Sequence, residues 1–306
     1  MSLVETTLKK LQQSALDAKT AKAAKSTDAA SRTSAPERDV APIAPAKPAS
    51  VPVSVRNVSQ HAPVHVDRAG LRAAGFIAPE DQERQIADQF RHIKRPLIAN
   101  AFGRGAQKIP NGHLIMTASA LPNEGKTFTS INLALSLAVE KDITVLLVDA
   151  DVAKRHISRI FGVEKEPGLL DALQDDKLDL ESLIIPTDVP GLSLLSAGNR
   201  TSIATELLSS AHMDATFARL GAHSPNRIVL LDSPPLLLTS ESRALAAIVG
   251  QVVIVVNSRT TPQQAVLDAV SLVPTDKSVG FILNQCNVRS SEGYYYGDGT
   301  YGETHG

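Results

Sequence analysis

This chain contains almost no cysteine: Cys286 is the single one among its 306 residues. No disulfide can form within the chain, which fits a reducing cytosol, and we interpret Cys286 as a small buried residue beside a strand. An excess of one charge is also lacking, since the formal net charge is −1, so bulk charge indicates no nucleic-acid partner. No stretch approaches the roughly 18–20 apolar residues that cross a bilayer, and the N-terminus lacks the apolar core of a signal peptide.

The strongest functional pattern is the run Ala-Ser-Ala-Leu-Pro-Asn-Glu-Gly-Lys-Thr at residues 118–127. An apolar stretch typical of a buried strand precedes it, and apolar residues at helical spacing follow it. Strand, turn with Gly-Lys-Thr and helix form the layout of a phosphate-binding loop, in which backbone N–H groups face the phosphates. Lys126 would reach the β- and γ-phosphates, and the Thr127 hydroxyl would hold Mg²⁺. The predicted phosphate-binding residues are Ala120, Leu121, Pro122, Asn123, Glu124, Gly125, Lys126 and Thr127.

Carboxylates follow two further apolar strands of the chain. The run 143–148 leads into Asp149-Ala-Asp151, and the run 227–231 leads into Asp232. The carboxyl ends of parallel strands meet at the edge where ligands bind, and Mg²⁺ on phosphates takes one or two carboxylates. Thr127, Asp149 and Asp232 fit that ligand set. Each aspartate alone could equally be a helix cap, and Gly-Lys-Thr alone could be a surface turn, since Ala120 replaces the usual first glycine.

Strand and helix patterns alternate from residue 113 onward. This alternation predicts an α/β fold with a mostly parallel sheet covered by helices on both faces. The predicted strands are 113–119, 143–148, 192–196, 227–232, 251–256 and 278–284. The predicted helices are 126–140, 155–161, 168–174, 203–220, 241–248 and 262–272.

The two ends of the chain differ from this central part. Residues 1–66 are rich in Ala, Ser, Pro and Lys without a periodic apolar face, and we expect them to be disordered apart from a short helix over 3–18. A helix is predicted over 80–95, with Ile86, Phe90 and Ile93 on one face; Pro96 is expected to end or kink it, with one or two more helical turns over 97–102. The predicted segments are therefore a disordered 1–66, a helical 67–112, a P-loop domain 113–286 and a Tyr/Gly-rich tail 287–306.

These motifs together resemble those of the bacterial tyrosine kinases (BY-kinases), the P-loop tyrosine autokinases of capsule and exopolysaccharide export. The similar stretches are Pro-Asn-Glu-Gly-Lys-Thr at 122–127 for Walker A, Val-Leu-Leu-Val-Asp-Ala-Asp at 145–151 for Walker A′, and Leu-Leu-Asp-Ser-Pro-Pro at 230–235 for Walker B. Within the family, the sequence is most similar to the exosortase-linked exopolysaccharide type. The resemblance implies a MinD/ParA-like P-loop fold and a protein-tyrosine kinase that uses ATP and Mg²⁺.

The resemblance also implies roles for individual residues. Lys126, Asp149, Asp151 and Asp232 would form the catalytic set, with Asp149 or Asp151 taking the tyrosine proton and the other joining Asp232 on the metal side. Asn284 is similar in position to a residue that contacts adenine in related ATPases. The tyrosines of the chain lie together in the flexible tail and would be autophosphorylated in trans, although they could instead form an interaction patch. They are Tyr294, Tyr295, Tyr296 and Tyr301.

Oligomerisation and partners are further implications of the resemblance. Asp88, Arg91 and Lys94 have the spacing of the family's ring-forming motif, whereas the alternative is a solvated charged face. The implied partners are further copies in a ring, a separate membrane chain-length or activator protein, and a tyrosine phosphatase. The implied location is cytoplasmic, peripheral at the inner membrane through that partner.

Two departures from the family, Ala120 in Walker A and Ala153 after Walker A′, keep rival interpretations open. The arginine that usually follows the Walker A′ motif is replaced by Ala153, with Lys154 and Arg155 beyond it. A MinD/ParA-type nucleotide-switch ATPase is the main alternative, but its signature lysine would stand at Leu121. A nucleotide-binding scaffold without phosphoryl transfer is a third interpretation.

Overall fold

The structure is a computed structural model that describes residues 61–103 and 109–286. The strands of its sheet are β1 (Leu114–Ser119), β2 (Thr144–Asp149), β3 (Ile185–Pro186), β4 (Leu192–Leu195), β5 (Arg227–Asp232), β6 (Gln251–Asn257) and β7 (Ser278–Asn284). They lie in the order β3-β4-β2-β5-β1-β6-β7. Every neighbouring pair is parallel except β3 with β4. The predicted mostly parallel sheet is confirmed, and each predicted strand agrees with an observed one to within a residue at either end.

The α-helices of the described residues cover both faces of this sheet. They are α1 (Arg68–Ala73), α2 (Glu83–Ala101), α3 (Lys126–Ala138), α4 (His156–Ile160), α5 (Leu169–Gln174), α6 (Ala204–Leu208), α7 (Ala211–His223), α8 (Ser240–Ile248) and α9 (Gln263–Ser271), with short 3₁₀ turns at Glu80–Gln82 and Leu180–Leu183. One core cluster joins α2, α3 and α4 to the sheet, and the other joins α5, α7, α8 and α9. No helix among the described residues is both long and apolar enough to span a bilayer.

Side-chain alternation along β1 explains why two cores form. Leu114, Met116 and Ala118 belong to one cluster, whereas Ile115 belongs to the other. Successive strand residues point to opposite faces, so a central strand that is apolar at nearly every position must be covered twice. β1 is such a strand, since all six of its residues are buried. The loop that leaves β1 therefore starts from the centre of the sheet.

Helix α2 continues through Pro96, so the expectation that this proline could end the helix is wrong, whereas the further helical turns predicted over 97–102 are confirmed as far as Ala101. Pro96 lies inside the helix, which continues to Ala101, although proline removes a backbone hydrogen bond. The turn after Pro96 is held by the sheet: Gln251 Nε2 donates to the Leu97 carbonyl at 3.0 Å, and Asn100 Nδ2 donates to Gln251 Oε1 at 2.9 Å. Tertiary hydrogen bonds therefore outweigh the helix-breaking tendency of this proline.

The predicted helix over 203–220 is two helices, α6 and α7. They separate where Ser210 caps α7, its hydroxyl accepting from the Met213 N–H at 3.2 Å. Serine is favoured at such a cap because its side chain satisfies a free N–H group at the helix start. The apolar spacing predicted the packed face of both helices but not the break between them.

The described residues before α1 extend the folded domain further than expected. The Val64 N–H donates to the Pro186 carbonyl at 2.9 Å, the Asp188 N–H donates to the Val64 carbonyl at 3.0 Å, and Val66 is buried. The expected disorder up to residue 66 is therefore wrong for residues 64–66, which join the β3 edge of the sheet. Residues 1–60 and the Tyr-rich tail, 287–306, lie outside the described residues.

Candidate nucleotide site at the carboxyl edge of the sheet

The register of three central strands places the candidate site residues side by side. Thr117 of β1 pairs with Asp232 of β5, and Asp232 pairs with Asp149 of β2. Paired residues in a parallel sheet share a face, so the two carboxylates are neighbours on one face of the sheet. The structure thus brings together two strand ends that are 83 positions apart in the sequence.

The loop after β1 has the backbone geometry of a phosphate cradle. Gly125 has φ of 94° and precedes α3, while Asn123 has φ of 62°. A Cβ at Gly125 would lie 2.0 Å from Asn284 Nδ2, so only glycine fits this close approach in a left-handed conformation. The first N–H groups of α3, which begins with Lys126, therefore remain available at the loop for an anion.

Ala120 replaces glycine without visible strain. It is fully buried in the core cluster, and it is not among the non-glycine residues with positive φ. A position with ordinary φ accepts a Cβ. The departure from the usual Walker A pattern thus leaves the loop geometry intact.

Glu124 has a bracing role that its position in the motif did not reveal. Its side chain is buried; Oε2 accepts from the Leu121 N–H at 2.6 Å, and Oε1 accepts from the Thr261 hydroxyl. The Glu124 carbonyl accepts from Asn284 Nδ2 at 2.9 Å. The loop is therefore fixed by residues that follow β6 and end β7, and Asn284 contacts the loop backbone directly.

Asp232 is the point where the sheet and the loop helix meet. Its Oδ2 accepts from the Thr127 hydroxyl at 2.8 Å, and its Oδ1 accepts from the Ser130 hydroxyl at 2.9 Å. Burial raises the pKa of Asp232 to about 6, opposed by Lys126 and by both hydroxyls. Burial also lowers the pKa of the Lys126 ammonium, although Asp232 and Asp151 pull it back up. Two buried carboxylates therefore lie within electrostatic reach of the loop lysine.

Asp149 is bound at only one of its two oxygens. Oδ2 accepts from the Ser158 N–H at 2.7 Å and from the Ser158 hydroxyl at 2.6 Å. Oδ1 is buried and has no hydrogen-bond partner in the described part of the chain. Burial raises the pKa of Asp149 to about 7, against the two bonds from Ser158 that lower it and the charge of Asp232 that raises it further. A buried carboxylate with one unpartnered oxygen can bind a cation or a proton.

These donors fit a magnesium ion that is shared with phosphates. Neighbouring carboxylates at Asp149 and Asp232, an unpartnered carboxylate oxygen and the Thr127 hydroxyl supply hard oxygen ligands. The described residues contain no cluster of three or more His, Cys, Asp or Glu side chains arranged to hold a metal by themselves. Mg²⁺ seldom uses such a cage, because waters and substrate phosphates complete its shell.

Lys154 is a basic residue within electrostatic reach of the site. Its charge lowers the pKa of Lys126, so the two ammonium groups lie within electrostatic reach of each other. Ala153 is exposed, and Arg155 instead donates to the Glu164 carbonyl from a left-handed backbone position. Asp151 is buried, and its Oδ1 accepts from the Lys154 N–H at 3.1 Å.

The predicted charged face of α2 presents two charges rather than three. Asp88 and Arg91 form an exposed ion pair. Lys94 is buried, and its Nζ donates to the Ser136 carbonyl at 2.6 Å and pairs with Glu140 at 2.7 Å. The expectation that Lys94 contacts another subunit together with the other two is therefore corrected: its cation lies at the carboxyl end of α3, where it satisfies a free carbonyl.

Cys286 also differs from its expected setting. It is exposed, with Sγ 3.5 Å from the Leu283 carbonyl. The reason is the position of β7 at one edge of the described sheet, where several of its residues stay partly uncovered.

Three functional contacts were missed by sequence reasoning. Ser130 follows Thr127 at i+3 on α3, so helical spacing could have identified its contact with Asp232. Ser158 reaches Asp149 from a separate helix, and Thr261 reaches Glu124 from 137 positions away. No local pattern predicts those two contacts, because they depend on how the elements pack.

Comparison with known proteins agrees with this geometry. A family model described as an AAA domain matches residues 122–278. The tyrosine-protein kinase YwqD of Bacillus subtilis is 31% identical over 234 residues, which cover 75% of this chain and 94% of the relative. The tyrosine-protein kinase ptk of Acinetobacter johnsonii is 33% identical over 184 residues, which cover 60% of this chain and 24% of the relative.

A solved structure has the same fold. The kinase domain of the Escherichia coli tyrosine kinase ETK superposes with a TM-score of 0.58 at 26% identity, covering 69% of this chain and 80% of that one. The chain spans about a quarter of the length of the first curated relatives that it matches. Since the match with YwqD extends over three quarters of this chain and nearly all of that relative, the chain belongs to the bacterial tyrosine kinase family of P-loop proteins.

Proposed function

We propose that this protein is an ATP- and Mg²⁺-dependent protein-tyrosine kinase that phosphorylates its own C-terminal tyrosines. The observation that carries the proposal is the convergence of the Lys126 loop, the Thr127–Asp232 pair and the half-free Asp149 carboxylate at one sheet edge. Phosphoryl transfer needs mainly positioning and charge stabilisation from a protein, and this edge has the groups for both.

Each residue of the site has a defined task in this proposal. The loop N–H groups and Lys126 bind and orient the phosphates, and Lys126 offsets charge on the transferring group. Thr127, Asp149 and Asp232 would hold Mg²⁺, which when bound supplies neutralisation of the phosphate oxygens. Asp151 follows the strand end, is buried, and accepts from the Lys154 N–H at one of its oxygens. We assign it to accept the proton of the attacking tyrosine hydroxyl.

The acceptor in this proposal is the tyrosine cluster of the tail. The tail holds Tyr294, Tyr295, Tyr296 and Tyr301 among glycines, a composition that gives a flexible chain able to enter the site of a neighbouring copy. Each phosphate adds about −1.5 to −2 charges. Several phosphates on each copy would therefore repel one another.

That repulsion suggests a switch of assembly. We propose that the exposed pair Asp88–Arg91 on α2 contacts a neighbouring copy in a ring-like homo-oligomer, and that tail phosphorylation dissociates the ring. Mass photometry or light scattering on phosphorylated and phosphatase-treated protein would test the switch. An unchanged oligomeric mass after complete phosphorylation would contradict it.

The names of relatives support a proposal for the cellular role. A Klebsiella pneumoniae relative is named a putative tyrosine-protein kinase in the cps region. We propose that this kinase likewise regulates exopolysaccharide or capsule synthesis and export from the cytoplasmic side of the inner membrane, bound there to a membrane activator protein and reversed by a tyrosine phosphatase. It needs no nucleic acid.

Intact-mass spectrometry after incubation with ATP and Mg²⁺ tests the kinase proposal. We expect added mass in whole-phosphate steps for the full chain, but none for Lys126→Met or for a chain truncated after Asn287. An added membrane activator belongs in a parallel arm. ATP hydrolysis without added mass in every arm would contradict the kinase and favour the MinD/ParA-type switch; tight nucleotide binding with neither activity would favour the scaffold.

A further inference from the structure

We propose that Ser158 is a positioning residue that fixes the Asp149 carboxylate, so that one oxygen is held by the protein and the other faces the divalent cation. The inference rests on the proposed function insofar as Asp149 takes part in binding Mg²⁺. Ser158 lies in the first turn of α4, away from the sequence motifs that define the site.

The first support is the asymmetry of the Asp149 carboxylate. Both bonds from Ser158, the N–H at 2.7 Å and the hydroxyl at 2.6 Å, end on Oδ2. Oδ1 is buried with no partner within the described residues. Two donors on one oxygen define the rotation of the carboxylate about its Cβ–Cγ bond. They therefore also define where the unpartnered oxygen lies.

The second support is the direction of the hydroxyl proton. The Ala197 nitrogen lies 3.0 Å from Ser158 Oγ, and an N–H group can only donate. Ser158 Oγ accepts that bond, so its own proton is available for Asp149, which in the ionised form that binds a cation can only accept. Ser196 Oγ lies 3.4 Å away as a weaker neighbour. The network has one consistent polarity, which runs from Ala197 through Ser158 to Asp149.

The third support is the rigidity of the surroundings. Ser158 and Ser196 are both fully buried. The residues after β4 are fixed in turn, since the Leu169 N–H donates to the Ser196 carbonyl at 2.9 Å and the Leu170 N–H donates to the Ala197 carbonyl at 3.1 Å. Ser158 is therefore held by the end of β4 and the start of α5 as well as by its own helix.

This arrangement is that of an outer-shell partner of a metal ligand. Outer-shell partners orient the ligand, and their loss typically costs roughly 10- to 100-fold in metal affinity or activity. Asp232 has its own pair of hydroxyl partners, Thr127 and Ser130. Each of the two neighbouring carboxylates is thus oriented by hydroxyl groups, but only Asp149 keeps one oxygen unpartnered.

The test is a Mg²⁺ titration of the binding of a non-hydrolysable ATP analogue to full-length protein, followed by calorimetry. For Ser158→Ala we expect the Mg²⁺ midpoint to rise about 10-fold or more, while affinity for the analogue in EDTA stays near the wild-type value. Ser158→Thr, which keeps the hydroxyl, should restore most of the wild-type midpoint. Should the alanine variant not fold, Ser158→Cys keeps the volume but donates weakly, and the same rise is expected.

Ser196→Ala is the matched control, because it removes an equally buried hydroxyl that does not touch Asp149. Its midpoint should stay within about twofold of wild type. A folded Ser158→Ala or Ser158→Cys protein with the wild-type midpoint would overturn the inference, as would equal shifts for Ser158→Ala and Ser196→Ala. A wild-type protein that shows this Mg²⁺ dependence but forms no phosphotyrosine would refute the kinase proposal alone.

Discussion

The candidate nucleotide site at the carboxyl edge of the sheet and the exposed side of α2 both contain charged residues, but the surroundings of those charges differ. At the edge, Asp149 and Asp232 are buried and bound by hydroxyl groups. On α2, Asp88 and Arg91 pair with each other in solvent. Burying a charge is costly unless it is paired and hydrogen-bonded, whereas an exposed pair costs and gains little. The buried charges therefore indicate a functional role, whereas the exposed pair has such a role only if another molecule covers it.

Among the substitutions considered, we expect replacement of Gly125 to have the largest effect on nucleotide affinity. Gly125→Ala puts a Cβ 2.0 Å from Asn284 Nδ2 at a φ of 94°. The Asn284 side chain must then turn away and release its bond to the Glu124 carbonyl, and alanine is strained at this φ. Both changes shift the N–H groups of the loop, so we expect nucleotide affinity to fall by roughly 100- to 1,000-fold. Calorimetric titration with an ATP analogue and Mg²⁺ measures the loss.

Gly75→Ala is the matched control for this change. Gly75 also has a positive φ, of 76°, but its Cβ would meet nothing within 4 Å, and the residue is exposed beyond α1. We expect a similar backbone strain, about 1 kcal/mol of stability, with no change in nucleotide affinity. Equal losses of affinity in the two variants would show that general destabilisation, and not the local geometry at Gly125, explains the result.

The buried carboxylates give the second prediction, a pH dependence of stability without metal or nucleotide. The folded-state pKa values of Asp149, about 7, and Asp232, about 6, exceed the usual aspartate value of 3.8. The folded protein keeps these protons where the unfolded chain has lost them, so stability falls as pH rises from about 4 to about 7. Asp149→Asn should therefore be more stable than wild type at pH 8 by on the order of 2 kcal/mol, but not at pH 4.

Urea unfolding of the two proteins at pH 4, 6 and 8 measures this difference. Asp232→Asn should behave in the same way. Its gain in stability over wild type should reach its full size at a lower pH, because the pKa of Asp232 is lower than that of Asp149. Mg²⁺ with an ATP analogue should stabilise wild type more than either variant. A stability gap between Asp149→Asn and wild type that does not change with pH would contradict the prediction.

The same contrast explains what the sequence could predict. Nucleotide chemistry restricts residue types and spacing, so the loop at 120–127 and the aspartates at 149 and 232 could be identified from sequence patterns. The strands followed from uninterrupted apolar runs. Ser158 and Thr261 could not be identified, since their partners come from distant parts of the chain. The β3 strand, with two residues, is too short to show a pattern.

Helix α2 shows both what residue spacing predicts and what it does not. Its apolar spacing correctly predicted the packed face: Phe90 is buried, and its ring centroid lies 6.5 Å from that of Phe128. Its charge spacing gave the wrong setting for Lys94. Spacing on a helix tells which residues are neighbours, but not whether a long side chain turns inward to a carbonyl of another helix.

The third prediction separates Lys94 from Arg91. Lys94→Met leaves the Ser136 carbonyl without its donor and Glu140 without its partner, so we expect a loss of about 1–2 kcal/mol in the free energy of unfolding. Arg91→Met removes an exposed pair, and we expect no resolvable change in that free energy. If the ring proposal holds, Arg91→Met instead lowers the oligomeric mass. Denaturant unfolding and light scattering on both variants decide the matter, and equal destabilisation by the two changes would contradict the assignment.

The smallest effect is expected where the chain departs from its own family pattern. Ala120→Gly restores the usual first glycine of the loop. If the alanine impaired the loop, this change would make nucleotide binding tighter. Ala120 has no left-handed φ and its methyl group is buried in the core, so the alanine does not impair the loop. We therefore expect calorimetry to give an analogue affinity within about threefold of wild type and unfolding to give a stability loss of about 1 kcal/mol, from the lost methyl contact and the freer unfolded chain. A tenfold gain in affinity would mean that the alanine distorts the bound state. Set beside Gly125→Ala, the pair distinguishes a glycine required by contact from one that only the consensus suggests.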